Sequence, residues 1–403
     1  MVCRTFVFTR RSCRGALALS ASLAAAAPFA GASKVMAQND SAAENASVAA
    51  AADAASGSAV ATPPAGASDK TPSNLLRLGR GSSFYSPFAF LVDKKARTLS
   101  VWKQLAAQWQ KVASYPADLG KNEGVKTKRN DHRTPEGIYF LKDRLEGASL
   151  DFNLYGKRAF TTDYPNFFDR FEGKTGSGIW LHAVPDKTPL TRGSRGCVVV
   201  RNDAIIELSK YVDLGKTPVV IADQIDYVKK EDAALRAEEI AGSIERWRQA
   251  WENKDIAGYI AFYGSRFRSQ EMGRAAWKAY KDRLNSTYKQ LSVKLSKPYI
   301  IAYKDRAVAR FMQDYASDLH QDFGEKTLYL TRENGKFLIA GEEWAEETSR
   351  LAREEMNANE PSSGETASAM PASTAPSASA SRSPVATCAP GESCPAAQSA
   401  ARY

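Results

Sequence analysis

The stretch "LTRGSRGCVVVRND", Leu190 to Asp203, places a single cysteine, Cys197, behind a glycine-rich turn and ahead of three valines. His182 lies 15 residues upstream, is one of only 3 histidines, and falls at the end of the apolar run "SGIWLHAV". Together they suggest nucleophilic acyl transfer. A thiol attacks a carbonyl as thiolate, so it needs a nearby base, N–H donors for the oxyanion, and exposure. The segment "PDKTPLTRGS" is long enough to turn back and lay the second apolar run beside the first. Gly193 and Gly196 allow a tight turn and are expected to present N–H groups to the oxyanion. Arg192 and Arg195 are expected to lower the thiol pKa and to hold a substrate carboxylate. Ser194, Arg195 and Gly196 flank the nucleophile and, with Arg192, are the candidate substrate-binding residues. Val198 to Val200 carry the chain into the core, which leaves Cys197 on display. The alternative is an inert, buried cysteine, a common fate of free thiols.

The compartment bears on that choice. Arg4, Arg10, Arg11 and Arg14 precede the apolar run "ALALSASLAAAAPFA", Ala16 to Ala30, and small residues follow. That order predicts a secretory signal over residues 1–37, with cleavage after Ala32 or Ala37. The run is shorter than the roughly 20 residues a bilayer requires, so no membrane span is expected after cleavage. An exported protein in the periplasm or cell wall follows. Of 5 cysteines, Cys3 and Cys13 leave with the signal, and Cys388 and Cys394 in the tail could pair with each other. Cys197 stays unpaired in an oxidising compartment, so it is either buried or used.

The net charge of +10 predicts attraction to an anionic polymer, and for an exported protein that is the cell wall. The basic stretch "GKNEGVKTKRNDHR", Gly120 to Arg133, contains no aromatics, which argues against nucleic acid. His132, His182, His320 and Cys197 show no zinc-ligand spacing, so no metal is expected, and no cofactor. His132 and His320 read as loop or solvated residues.

Five segments follow from texture. After the signal, residues 38–82 are a low-complexity linker rich in Ala, Ser, Pro and Gly, and residues 357–403 are a similar disordered tail. Residues 83–226 are mainly β, with runs such as "FAFLVD", "TLSVWK", "GIYFL" and "TPVVIA". One helix is predicted at "NDAIIELSKYVD", capped by Asn202 or Asp203. Residues 231–346 open with a helix whose Ile240, Ile244, Trp247 and Trp251 share a core face, then turn to alternating strands. "ENGK" predicts a hairpin there, and "GEEWAEE" reads as a solvated strand end. The block is α+β.

These residues carry a resemblance. "IWLHA" followed by "SRGCVVVRND" resembles the active-site signature of the L,D-transpeptidase (YkuD-type) family of cell-wall enzymes. "HRTPEGIYFL" resembles that family's Thr-Pro-x-Gly-x-aromatic element, and "DYPNFFDR" a segment of one branch. The resemblance covers roughly Ser83 to Asp223. It implies Cys197 as nucleophile, His182 as general base and the Ala183 carbonyl as the orienting partner of that base. The family more often has Ser-His-Gly-Cys where this chain has Ser194-Arg195-Gly196-Cys197, so no role carries over for that second histidine. "WRQAWENKD", "RFMQDYAS" and "GKFLIAGEEW" resemble NTF2-like domains, a cone of helices wrapped by a curved sheet. The pair of domains is similar to a branch that includes L,D-carboxypeptidases governing cell shape.

The expected substrate is therefore the peptidoglycan stem peptide. A Cys197 thioester would be resolved by an amine in a transpeptidase or by water in a carboxypeptidase. The rival of another class is a non-catalytic wall-binding module. Trp180 and Tyr164 are candidates for the substrate groove, with core packing as the alternative. The NTF2-like domain is expected to bind a muropeptide or protein partner and to carry no chemistry. On that division of labour, a chain ending near Asp226 should still form the thioester.

Overall fold

The computed structural model describes residues 69–78, 83–105, 108–269 and 271–358. The signal, most of both low-complexity segments, and Cys388 and Cys394 fall outside them. The first half runs through β1 (Lys70–Pro72), β2 (Leu75–Arg77), β3 (Phe88–Asp93), β4 (Thr98–Leu105), β5 (Gln108–Pro116) and β6 (Gly137–Glu146). Then come α1 (Phe152–Tyr155), β7 (Arg158–Thr162), α2 (Phe167–Phe171), β8 (Trp180–Ala183), β9 (Val198–Val200), α3 (Asn202–Leu208) and β10 (Pro218–Ala222). Eight of these strands form one sheet in the order β5-β4-β3-β10-β6-β7-β8-β9. Its parallel pairs are β3 with β10 and β8 with β9.

The second half contains β11 (Tyr227–Lys229), α4 (Lys230–Glu252), α5 (Ile256–Ala261), β12 (Tyr263–Ser269), β13 (Met272–Gly273), α6 (Arg274–Thr287) and β14 (Leu291–Leu295). β15 (Tyr299–Tyr303), β16 (Arg306–Ser317), β17 (Gln321–Glu333), β18 (Lys336–Glu346) and α7 (Arg350–Ala358) complete it. Ile240, Ile244, Trp247 and Trp251 of α4 are buried against Phe311, Leu328 and Ile339 of the second sheet. Asn334 and Gly335, at φ 50° and 79°, make the two-residue turn between β17 and β18.

Period-2 alternation explains how the sheets stack. One face of the first sheet, with Phe90, Val92, Tyr139, Leu181, Val198 and Val200, packs on Ile205 and Leu208 of α3. The other face, with Leu91, Ile138, Phe140 and Val220, packs on Tyr299, Ile301, Tyr303, Val308 and Tyr329 of the second sheet. Ile300 and Ala302 of β15 point the opposite way, into the cone. β15 is therefore buried on both faces. Polar contacts seal the seam. The Glu136 carboxylate accepts from Lys94 Nζ at 2.9 Å and from Tyr303 Oη at 2.7 Å, while Arg310 Nη1 donates to the Gly215 carbonyl at 2.8 Å.

Three expectations change. Residues 70–77, counted to the linker, form strands: β1 pairs with β11, and β2 pairs with β15 at the edge of the second sheet, with Leu75 fully buried. Two leucines and a vacant edge outweigh the composition around them. The helix at Asn202 is capped by Arg201 without a side-chain bond, because the Asn202 side chain is turned inward. Glu342, expected to be solvated, is buried and accepts from Lys326 Nζ at 2.8 Å and Tyr263 Oη at 3.2 Å.

The shared core also removes the reason to expect an autonomous first half, since ending the chain near Asp226 would bare Leu91, Ile138 and Phe140. The protein from β1 to α7 is expected to unfold in a single transition. Ile301→Ala, at a fully buried seam position, should lower its stability by about 2–5 kcal/mol. Urea unfolding followed by fluorescence and by circular dichroism checks both statements; two separate transitions would refute the shared core.

Candidate active site

β8 and β9 pair in parallel register, Leu181 opposite Val198 and His182 opposite Val199. Leu181, Ala183, Val198 and Val200 occupy the core face. Alternation then turns His182 and Val199 to the other face, together with Cys197, two residues before Val199. Cys197 immediately precedes β9 and is partly exposed, so neither full display nor full burial describes it. Its Sγ accepts from the Trp180 N–H at 3.4 Å and donates to the Gly178 carbonyl at 3.5 Å. Burial pushes the thiol pKa up to about 11, against the pull of the Trp180 N–H and the Lys126 ammonium. At neutral pH the group is a thiol, and it needs a base.

His182 lies with Nδ1 2.6 Å from the Ala183 carbonyl oxygen. A carbonyl only accepts, so Nδ1 carries the proton and Nε2 is left with its lone pair. Burial lowers the histidine pKa, and the Ala183 carbonyl partly offsets this. The ring is neutral at pH 7 and able to take a proton.

The loop before Cys197 is organised by Asp118, a buried residue no motif marks. Its carboxylate accepts from the Arg192 N–H, from the Gly193 N–H at 2.8 Å and from Arg97 Nη2 at 3.0 Å. Its backbone exchanges two hydrogen bonds with Val199. Ser194 Oγ donates to the Cys197 carbonyl at 2.8 Å and accepts from the Gly196 N–H at 3.1 Å. Gly196, at φ 128°, lies so close to the Arg133 carbonyl that a Cβ would come within 2.6 Å of its oxygen.

These contacts revise several expectations. The N–H groups of Gly193 and Gly196, expected at the oxyanion, are committed to Asp118 and Ser194. The Arg192 guanidinium pairs with Glu123 at 3.3 Å instead of standing free. The cation that acts on the thiol is Lys126, itself bound to Asp131 at 2.7 Å, so part of the basic stretch is internal. Arg195 is exposed, and its field is felt at Tyr155. Tyr164, a candidate for the groove, is buried in the core with its hydroxyl donating to the Thr175 carbonyl at 3.1 Å. Trp180 is half-buried beside the site.

Sequence reasoning missed Tyr155. Its ring lies 4.9 Å from that of Trp180 and meets the His182 ring edge-on at 5.1 Å. It comes from a four-residue helix with no motif, so only the fold reveals it. His320 Nε2 lies 3.2 Å from Asp322 in the second half, and His132 belongs to the loop that carries Lys126 and Arg133. Among the described residues no group of three His, Cys, Asp or Glu side chains gathers to hold a metal.

Comparison with known proteins agrees with this architecture. Residues 87–221 match the L,D-transpeptidase catalytic domain, and residues 239–343 match the Cds6 C-terminal NTF2-like domain. The structure of Bd1075 from Bdellovibrio bacteriovorus is similar at 46% identity, with 70% of this chain and 100% of that chain covered and a TM-score of 0.64. The helical cell shape determining protein Pgp2 from Campylobacter jejuni is similar at 27% identity, over 67% of this chain and 95% of that one, with a TM-score of 0.56. No curated protein matches the chain. The thiol, the neutral histidine on the same sheet face, and the two matched domains lead to one conclusion: the chain belongs to the L,D-transpeptidase (YkuD) family, in the branch whose catalytic domain is joined to a C-terminal NTF2-like domain.

Proposed function

We propose that this protein is an exported peptidoglycan-modifying cysteine acyltransferase, an L,D-transpeptidase that works on tetrapeptide stems through a Cys197 thioester. The observation that carries the reading is the common sheet face of Cys197 and His182, with His182 Nδ1 engaged by Ala183 and Nε2 left basic. Nε2 takes the thiol proton as Sγ attacks the carbonyl carbon between meso-diaminopimelate and D-alanine. The C–N bond breaks, the amine of D-alanine leaves with the proton from His182, and the acyl group remains on sulfur. A diaminopimelate amine, deprotonated by His182, then displaces the thiolate and forms a cross-link. Arg195, exposed beside the nucleophile, is the proposed holder of a stem carboxylate, because Arg192 is engaged by Glu123.

A second reading, the L,D-carboxypeptidase, replaces the amine with water and releases a tripeptide. It is favoured by the likeness to a helical cell shape determining protein. The NTF2-like cone is proposed as the site for a muropeptide or protein partner. Lys281 supports this: its ammonium lies 4.5 Å from the Trp251 ring and 4.8 Å from that of Trp277. Burial pushes the Lys281 pKa down to about 8, opposed by Glu342.

Incubation of the protein with tetrapeptide muropeptides, with products separated by mass, distinguishes dimer, tripeptide and unchanged substrate, the last refuting both enzyme readings. Cys197→Ala should reduce turnover to below about a thousandth of wild type and leave the melting temperature unchanged.

The pH profile is also fixed in direction. A thiol with its pKa raised should alkylate with iodoacetamide more slowly at pH 8 than free cysteine, and should accelerate as pH rises toward 11. Turnover requires neutral His182, whose pKa is lowered, so it should persist at pH 6.5 and fall only as the pH drops further. Alkylation already at its plateau by pH 7 would contradict this account.

At the cone, an anionic muropeptide should bind below pH 8 and weaken as Lys281 loses its proton above it. Binding to isolated sacculi, measured by co-sedimentation, should show this dependence in wild type and lack it in Lys281→Met.

A further inference from the structure

The base of the site is held through a carbonyl, and that carbonyl belongs to a tightly enclosed peptide. Gly156 ends α1 at φ 64° and ψ −149°, a conformation open almost only to glycine. A Cβ there would lie 2.6 Å from Ala183 Cβ, 2.6 Å from Asn202 Oδ1 and 2.8 Å from the Ala183 carbonyl carbon. Gly156 therefore rests directly on the peptide whose oxygen receives the His182 Nδ1 proton. No side chain could stand between them.

Asn202 ties down the chain on both sides of this contact. It is 2% exposed. Its Oδ1 accepts the Lys157 N–H at 2.8 Å, which fixes the peptide following Gly156. Its Nδ2 donates to Asp186 Oδ1 at 3.0 Å, which holds the loop that leaves β8 three residues after Ala183. Tyr155, one residue before Gly156, closes the enclosure edge-on to the His182 ring. One buried amide thus joins the segment that presses on Ala183 to the segment that Ala183 begins.

We infer that Gly156 and Asn202 are positioning residues for the reaction: together they fix the Ala183 carbonyl and, through it, the Nδ1–H form of His182 that leaves Nε2 free for the thiol proton. The inference rests on the reading of His182 as the base for Cys197. Neither residue touches the thiol or the reacting atoms. Loosening the Ala183 peptide lets the imidazole adopt the opposite tautomer, in which Nε2 carries the proton and cannot accept another.

The test uses the full chain and reads the His182 ring nitrogens by 15N–1H NMR beside steady-state kinetics on tetrapeptide stems. Wild type should show Nδ1 protonated. Asn202→Ala should show a mixture of tautomers, with kcat lower by about tenfold to a hundredfold and KM changed by less than about twofold. Asp186→Ala, at an exposed position, removes one of the two holds on the same peptide and should give the same change in smaller measure, even if Asn202→Ala does not fold. A His182 spectrum identical to wild type in the folded variants overturns the inference, whatever happens to turnover. Failure of the underlying reading is seen separately, as retained turnover in Cys197→Ala with the histidine spectra unaffected.

Discussion

Parallel pairing of β8 with β9 obliges the chain to leave the sheet after Ala183 and to re-enter it at Val198 in the same direction. The crossover cannot be a tight turn. It is a long irregular loop, and its return point decides whether Cys197 shares a face with His182. Asp118 supplies the anchor, gathering two N–H groups of the returning loop and one guanidinium while its own backbone pairs with Val199. A buried carboxylate with this many donors is well compensated for its burial. Nucleophile and base then follow from strand geometry alone.

The same sheet is buried on both sides, by α3 on one face and by the second sheet on the other. The NTF2-like half is accordingly a wall of the catalytic core as well as a candidate binding module. Glu136 shows how close the two roles lie. It belongs to the "TPEG" turn, three residues after the Arg133 carbonyl that meets Gly196, and its carboxylate is held by Tyr303 of the second sheet.

The sequence revealed what is local and patterned. The run of valines, the face of α4 and the Asn-Gly turn could be read because each obeys one periodicity or one turn rule. β15 could not: "YIIAY" is buried on both faces, so it shows no alternation, and β2 was hidden by the composition of its neighbours. At the site, the separation and order of His182 and Cys197 could be read. The availability of particular N–H groups could not, because it depends on Asp118, distant in sequence. Nor could the charge on the thiol, since charges counted along the chain say nothing about which cation ends nearest; Arg192 turned to Glu123 and Lys126 came in from another loop.

The strand β2 has a consequence for how the molecule is assembled. Leu75 to Arg77 take their hydrogen bonds from Ile300 and Ile301, more than two hundred residues later in the chain. Contacts of such long sequence separation slow folding, because a large loop must close before they form. Until β15 exists, β2 has no partner, and until β2 docks, β15 offers an open edge on which another chain could pair. The strand β2 thus acts as a latch: its docking covers the β15 edge of the second sheet with a segment that lies far from it in the sequence.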